Sequence, residues 1–147
     1  TELLSLARQL RPTALDDLGL VAAIEGQVEQ LRRGEIDARL DADGDFSDLG
    51  EDAQLVVYRV AQEALSNAAR HSGAARVEVR LRRTDAGGVV LEVADDGRGF
   101  AFDESQRGLG IGGMRERALL IGAELTIESR PDSGTTVRLT VPGESAA

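Results

Sequence analysis

VVLEVADDGRGFAFDESQRGLGIGGM, residues 89–114, decides how the chain folds: a strand, a carboxylate, a glycine turn and a glycine-rich helix start follow one another within it. Val89, Leu91, Val93 and Asp95 share one strand parity and Val90, Glu92, Ala94 and Asp96 the other, and alternate strand residues face opposite sides of a sheet. The first set is apolar up to its last member. Asp95 is therefore expected to leave the strand on the covered side, whereas Asp96 follows Glu92 toward water. Gly97 and Gly99 let the backbone turn sharply and come close to a bound molecule. Asp95 is the candidate ligand group, heading a D-x-G-x-G turn. Read alone, DDGRG is as well explained by an aspartate-glycine turn between two strands.

Gly108, Gly110, Gly112 and Gly113 sit just before RERALLIG, a short helical run expected to turn Leu119 and Leu120 toward the core. Free backbone N–H groups at such a helix start form an anion site suited to phosphates. Leu109 and Ile111, interleaved with the glycines, fit a loop that both packs and closes on a ligand. The Lys-Ser/Thr ending of a P-loop is missing, which excludes that mechanism. Gly108, Gly110 and Gly113 do spell G-x-G-x-x-G, with Glu128 about where a ribose-binding acid would fall, so a dinucleotide site is the competing reading. Its context fails, because FAFDESQR is no buried parallel strand and the following helix is short for a crossover.

A chain of 147 residues fits one domain with a sizeable core, with room for an appended segment. No apolar run approaches bilayer length and no charged-then-apolar leader opens the sequence, so a soluble, untargeted piece is expected, a membrane anchor in a longer parent being left open. The absence of cysteine excludes disulfides and thiolate metal sites, which leaves any metal to oxygen ligands. The net charge of -9 speaks against nucleic acid and against an anionic membrane surface as partners. An anionic ligand must then be held by backbone and a few cations.

Residues 1–33 read as two helical pieces around Arg11 and Pro12. Leu3, Leu6 and Leu10 recur at helical spacing, Pro12 stops them, and Leu18, Val21, Ile24, Val28 and Leu31 resume, with Thr13 or Asp16 as the cap. An edge strand is expected at residues 36–40, followed by a solvated acidic loop, DADGDFSDLG, which lacks the twelfth-position glutamate of a calcium loop. Residues 51–72 form the strongest helix. Leu55, Tyr58, Ala61 or Gln62, Leu65 and Ala68 or Ala69 make its apolar face, while Glu63, Asn67, Arg70 and His71 fall together on another. Such a stripe is also what a solvated face looks like. As a site, it carries the groups for nucleoside triphosphate chemistry. Asn67 can offer a carbonyl oxygen to Mg²⁺, Glu63 can hold a metal-bound water or take a proton from a nucleophile, and Arg70 and His71 can neutralise phosphate charge. His71 is equally at home interacting with the helix dipole. Residues 75–83 alternate as a half-solvated strand and return through a turn at 85–88 into the Asp95 strand; 124–129 and 135–141 make a second hairpin. The sum is an α/β two-layer sandwich, with a mixed, mostly antiparallel sheet covered on one face by helices.

Three separated pieces resemble one family. QEALSNAARHS at residues 62–72 is similar to the N box, DDGRGF at 95–100 to the first glycine box, and GLGIGGM at 108–114 to the second, of the ATP-binding domain of sensor histidine kinases. GAELTIESRPDSGTTVRLTVP looks like that domain's closing hairpin, and LARQLRPTALDDLGLVAAI like the end of the dimerisation and phosphotransfer region in the nitrate/nitrite-sensor-like subgroup. The resemblance covers nearly the whole chain. It implies the Bergerat-type fold shared with gyrase, Hsp90 and MutL ATPase domains. Residues 1–33 would be the remnant of the dimerisation region and linker, and 34–147 the ATP-binding domain. By the same resemblance Asp95 would contact the adenine amino group and Asn67 would hold Mg²⁺. Glu63 would assist the transfer, residues 101–107 would be a short lid, and Gly134 and Thr135 would lie near the adenine. Gly97, Gly99, Gly108, Leu109, Gly110, Ile111 and Gly112 would line the nucleotide.

The implied reaction is γ-phosphoryl transfer from ATP to a histidine and then to an aspartate on a response regulator, in a cytoplasmic part of a parent that can be membrane-anchored. The family's phospho-accepting histidine lies in an acidic H box that this sequence lacks, and His71 belongs to the N box. The chain is therefore expected to bind ATP and Mg²⁺, and to need a histidine-bearing dimerisation domain as its acceptor. Two alternatives use the same fold: a serine kinase of the anti-sigma-factor type, and a nucleotide-sensing module without catalysis.

Overall fold

The structure, a computed structural model of the chain, describes residues 13–70, 73–98 and 111–143. Their elements run α1 (Thr13–Leu18), α2 (Leu20–Arg33), β1 (Asp37–Asp43), α3 (Glu51–Arg70), β2 (Arg76–Arg83), β3 (Val89–Asp95), α4 (Ile111–Leu120), β4 (Glu124–Ser129) and β5 (Thr135–Val141). One sheet orders them β1-β2-β3-β5-β4. The β1–β2 pair is parallel, joined through α3, and the other pairs are antiparallel. This is the mixed, mostly antiparallel sheet expected, with both hairpins in place. The first helical piece, residues 1–10, lies outside the described residues.

Strand alternation sets the two layers. Val77, Val79, Leu81, Val89, Leu91, Val93, Val137, Leu139 and Val141 are buried under the helices, where Ile24, Val28, Leu55, Val57, Val60, Leu65 and Met114 meet them. The apolar face of α3 is as read, with Ala61 and Ala68 buried and Gln62 and Ala69 exposed. It is wider than one stripe, because Val56, Val57, Val60 and Ala64 are buried too. A helix packed against both α2 and the sheet needs two apolar sides.

The opposite face of the sheet is laced with charge. Across β1 and β2 the register places Asp37 beside Arg76, Arg39 beside Glu78, Asp41 beside Arg80 and Asp43 beside Arg82. Arg80 faces Glu92 on β3, and Glu92 faces Arg138 on β5, whose Nη2 lies 2.5 Å from Glu92 Oε2. A slip of β1 by two residues would keep its inward side chains inward, yet set Asp37 against Glu78 and Arg39 against Arg80. Cross-strand pairs of this kind are worth roughly 0.2–1 kcal/mol each, and their sum favours one register. The acidic run beyond residue 40 thus continues as strand, to Asp43, where a solvated loop was expected. The arginines it meets lie on β2, far along the chain. Past it, the Arg83 guanidinium pins two loops, donating from Nη1 to the Asp45 carbonyl (2.7 Å) and to Asp48 Oδ1 (2.5 Å), and from Nη2 to the Gly87 carbonyl (2.7 Å).

Three further expectations are corrected. The helix after Pro12 is interrupted at Gly19, whose φ of 85° and ψ of 171° break helical phase. Leu15 and Leu20 are consequently buried, and Leu18, counted in the apolar stripe, is 64% exposed. Neither Thr13 nor Asp16 caps the long helix, which starts after Gly19 with no side-chain cap. At the other end of the chain, Leu119 is 76% exposed, because Ile111, Met114 and Ala118 take the buried side of α4. Apart from these three, α2 shares its buried residues with the core of the sheet. Arg32 Nε donates to the Ala38 carbonyl of β1 (2.8 Å), and Gln27 Nε2 reaches the Tyr58 carbonyl of α3 (3.4 Å).

Candidate functional site

The helix carrying Glu63 and Asn67 packs directly on β3, the strand that ends in Asp95, and also against α4. Glu63 and Asn67 are half-buried, one turn apart, and Arg70 is the exposed last residue of α3. Asp95 is half-buried, with Val89, Leu91 and Val93 of its parity buried, and Asp96 is exposed. The alternation that separated the two carboxylates therefore holds. Asp95 Oδ1 accepts a 2.8 Å hydrogen bond from the Gly97 amide, so the turn itself orients the carboxylate. Gly97 is buried. His71, Gly99, Gly108, Leu109 and Gly110 lie outside the described residues.

The closing hairpin meets the same turn. In the register Thr135 stands opposite Asp95, and Ser129 opposite Thr135. The two hydroxyls are 2.7 Å apart, and Ser129 Oγ also donates to the Gly134 carbonyl at 3.3 Å. Gly134 has φ 81°, and a Cβ there would run into the Asp95 carbonyl oxygen and lie 3.4 Å from the Asp96 Cα. The Asp132 amide donates to the Arg98 carbonyl. A glycine is thus required where the β4–β5 turn is pressed against the turn after β3.

The glycine-rich helix start differs in phase from expectation. Gly112 and Gly113 lie within α4 (Ile111–Leu120) instead of preceding it. Gly112 is exposed, with no heavy atom within 4 Å of where a Cβ would sit. The Ile111 side chain is in the core, which leaves its backbone as the part available to a ligand. The dinucleotide alternative loses its acid, because Glu128 is exposed on β4, an antiparallel strand at the sheet edge.

Asp96 holds a place that sequence reasoning left to water. Its Oδ1 accepts from the amides of Ala75 (2.8 Å) and Arg76 (2.9 Å) at the start of β2. These bonds, that from the Arg76 amide foremost, hold its carboxyl below the usual aspartate range, helped by the Arg76 charge. No local signal could have found them, since the partners lie 21 and 20 residues back. Because the folded-state value is lowered, the ionised group stabilises the fold fully above the unfolded aspartate value, and that stability is lost as pH falls through the folded value. Between about pH 6 and about pH 3 the urea midpoint of the wild-type chain is expected to fall further than that of Asp96→Asn. Asp45, whose carboxyl is lowered by the Ser47 amide, titrates alike in both, so parallel midpoint curves would refute the assignment.

The donors on α3 suit Mg²⁺. One amide carbonyl and one carboxylate a turn apart match an ion that keeps several waters and is carried mainly by substrate phosphates.

Residues 52–145 match the family described as histidine kinase-, DNA gyrase B-, and HSP90-like ATPase. Over 141 residues the chain is 37% identical to the oxygen sensor histidine kinase NreB of Staphylococcus carnosus, covering 94% of this chain and 40% of that one. Over 146 residues it is 38% identical to the sensor histidine kinase MctS of Rhizobium johnstonii, covering 96% and 31%. It thus spans well under half of either relative. Among solved structures, the blue-light activated histidine kinase EL346 of Erythrobacter litoralis superimposes with a TM-score of 0.69 at 25% identity, over 88% of this chain and 42% of that one.

Proposed function

The chain belongs to the histidine kinase-, DNA gyrase B-, and HSP90-like ATPase family, and from that premise we propose that it binds ATP with Mg²⁺ and serves as the catalytic domain of a sensor histidine kinase. The observation that carries this reading is the placement of Asp95: a half-buried carboxylate at the end of β3, oriented by the Gly97 amide, on the sheet face covered by the helix that bears Glu63 and Asn67.

In this reading the Asp95 carboxylate accepts a hydrogen bond from the adenine amino group, beside Gly134 and Thr135. The amides of the α4 start and the Arg70 guanidinium face the phosphates, with His71 and the glycines at 99, 108 and 110 completing the cradle. The Asn67 side-chain oxygen is the protein ligand for Mg²⁺. When bound, Mg²⁺ supplies charge neutralisation on the phosphate oxygens. A histidine outside this chain attacks the γ-phosphorus, forming a P–N bond while the bond to the β–γ bridging oxygen breaks and ADP leaves. Glu63 takes the imidazole proton as the nitrogen attacks, a general-base role worth about 10²–10⁴-fold in rate. The phosphoryl group then passes to an aspartate of a response regulator.

The acceptor histidine belongs to a dimerisation domain of the parent kinase, of which residues 1–33 are the end and linker, and 34–147 are the ATP-binding domain. The packing of α2 on β1 and α3 fits a linker docked on the catalytic unit. We place this part of the parent in the cytoplasm; among the described residues no helix is long and apolar enough to cross a membrane.

Asp95→Asn tests the reading. It turns an acceptor into a donor facing the adenine amino group, and calorimetric titration is expected to show ATP binding weakened by about 10–100-fold, with the chain still folded. Unchanged ATP affinity in that variant would overturn the adenine assignment.

A further inference from the structure

The end of β3 is held by a closed set of bonds centred on residue 96. The Asp96 amide donates to the Arg76 carbonyl at 3.2 Å, one step beyond the strand, while its Oδ1 accepts from the Arg76 amide at 2.9 Å and the Ala75 amide at 2.8 Å. Residue 96 is thus locked to Arg76 in both directions, and through Ala75 to the segment that follows α3. On its other side the 95–96 peptide is pressed by Gly134. The peptide that sets the direction of the Asp95 side chain is therefore fixed from both neighbouring strands. The Gly97 amide, which orients Asp95 Oδ1, comes immediately after the locked residue.

From this ring of bonds we infer that Asp96 is a positioning residue, aiming the Asp95 carboxylate and so setting discrimination for a 6-amino purine. The inference rests on the reading of Asp95 as the group that contacts adenine. Without the Asp96 carboxylate the last residue of β3 is released from β2, and the Asp95 oxygen no longer stays in place for an amino donor. The loss is specific to that donor. In a 6-oxo purine the group at position 6 is itself an acceptor and donates nothing to the carboxylate, so the bond from the 6-amino group, which the aim of Asp95 governs, is missing from that nucleotide.

The experiment titrates ATP and inosine triphosphate, each with Mg²⁺, into the wild-type chain, Asp96→Ala, Asp96→Asn and Asp95→Asn, well below their melting temperatures. Asp96→Ala is expected to weaken ATP about tenfold and to leave inosine triphosphate within about twofold, so that the preference between them collapses. Asp96→Asn keeps an acceptor oxygen for the two amides and is expected to retain most of the preference. Should the alanine variant fail to fold, Asp96→Ser, whose hydroxyl is one bond too short to span both amides, takes its place with the same expectation. Equal weakening of both nucleotides, or no change in either, alongside a collapsed preference in Asp95→Asn, would assign Asp96 to fold stability alone and overturn the inference. A preference unchanged in Asp95→Asn would overturn the adenine reading beneath it.

Discussion

With alanine at position 67, ATP binding loses its dependence on Mg²⁺, and phosphoryl transfer to a supplied histidine-bearing helix falls by roughly 10²–10³-fold, corresponding to about 3–4 kcal/mol of transition-state charge stabilisation. In the proposed reading Asn67, on the half-buried flank of α3, supplies the neutral oxygen donor, and Glu63, one turn earlier, accepts the proton. Alanine preserves the helix, having the highest helix propensity, so lost metal dependence would not report unfolding. Calorimetric titration with and without Mg²⁺, paired with a radiolabel transfer assay, measures both effects. Asp95→Asn is the internal contrast, since it should weaken ATP while leaving the Mg²⁺ enhancement in place. If Mg²⁺ still tightens ATP binding to Asn67→Ala, the metal ligand lies elsewhere.

Gly134→Ala is expected to be the most damaging substitution for the fold and the site together. The residue has φ 81°, a conformation costing an alanine about 1–2 kcal/mol, and the new Cβ would collide with the Asp95 carbonyl oxygen, a backbone atom in a strand that cannot step aside cheaply. A total loss of about 3–5 kcal/mol, a large part of a typical domain's stability, is expected in urea unfolding. The same displacement moves Asp95, so ATP affinity falls even in chains that remain folded. Gly26→Ala is the control. Gly26 is an exposed residue of α2, with nothing within 4 Å of where the alanine methyl would sit and no positive φ, so alanine should stabilise by about 1 kcal/mol. An unchanged midpoint in Gly134→Ala would mean that the β4–β5 turn is not seated against Asp95.

The sequence is most informative where the pattern is local. Alternation in residues 89–96 separated Asp95 from Asp96, and helical spacing put Glu63 and Asn67 on one flank of α3; both need only neighbours a few residues away. What escaped was non-local or conformational. The continuation of β1 through Asp43 depends on arginines of β2, some forty residues later. The exposure of Leu18 depends on the φ of Gly19, which no periodicity reveals. Asp96 satisfied the rule for an outward residue and still acquired two backbone donors, because the start of β2 lies alongside it. The glycines of α4 were legible as part of a helix start, yet Gly112 and Gly113 fall inside the helix, because helix ends shift by one or two positions without changing the apolar pattern that reveals them.

The charge-laced open face of the sheet also constrains how this sequence can drift. Arg39 and Glu78, or Asp41 and Arg80, are coupled letters: changing one alone opposes like charges across β1 and β2, whereas exchanging both restores the pair. Reversing one of these charges is therefore expected to be offset, in urea unfolding, by reversing its partner as well, and the row Arg80, Glu92, Arg138 extends the coupling over three strands. On that open face the sign of each charge matters more than which residue supplies it.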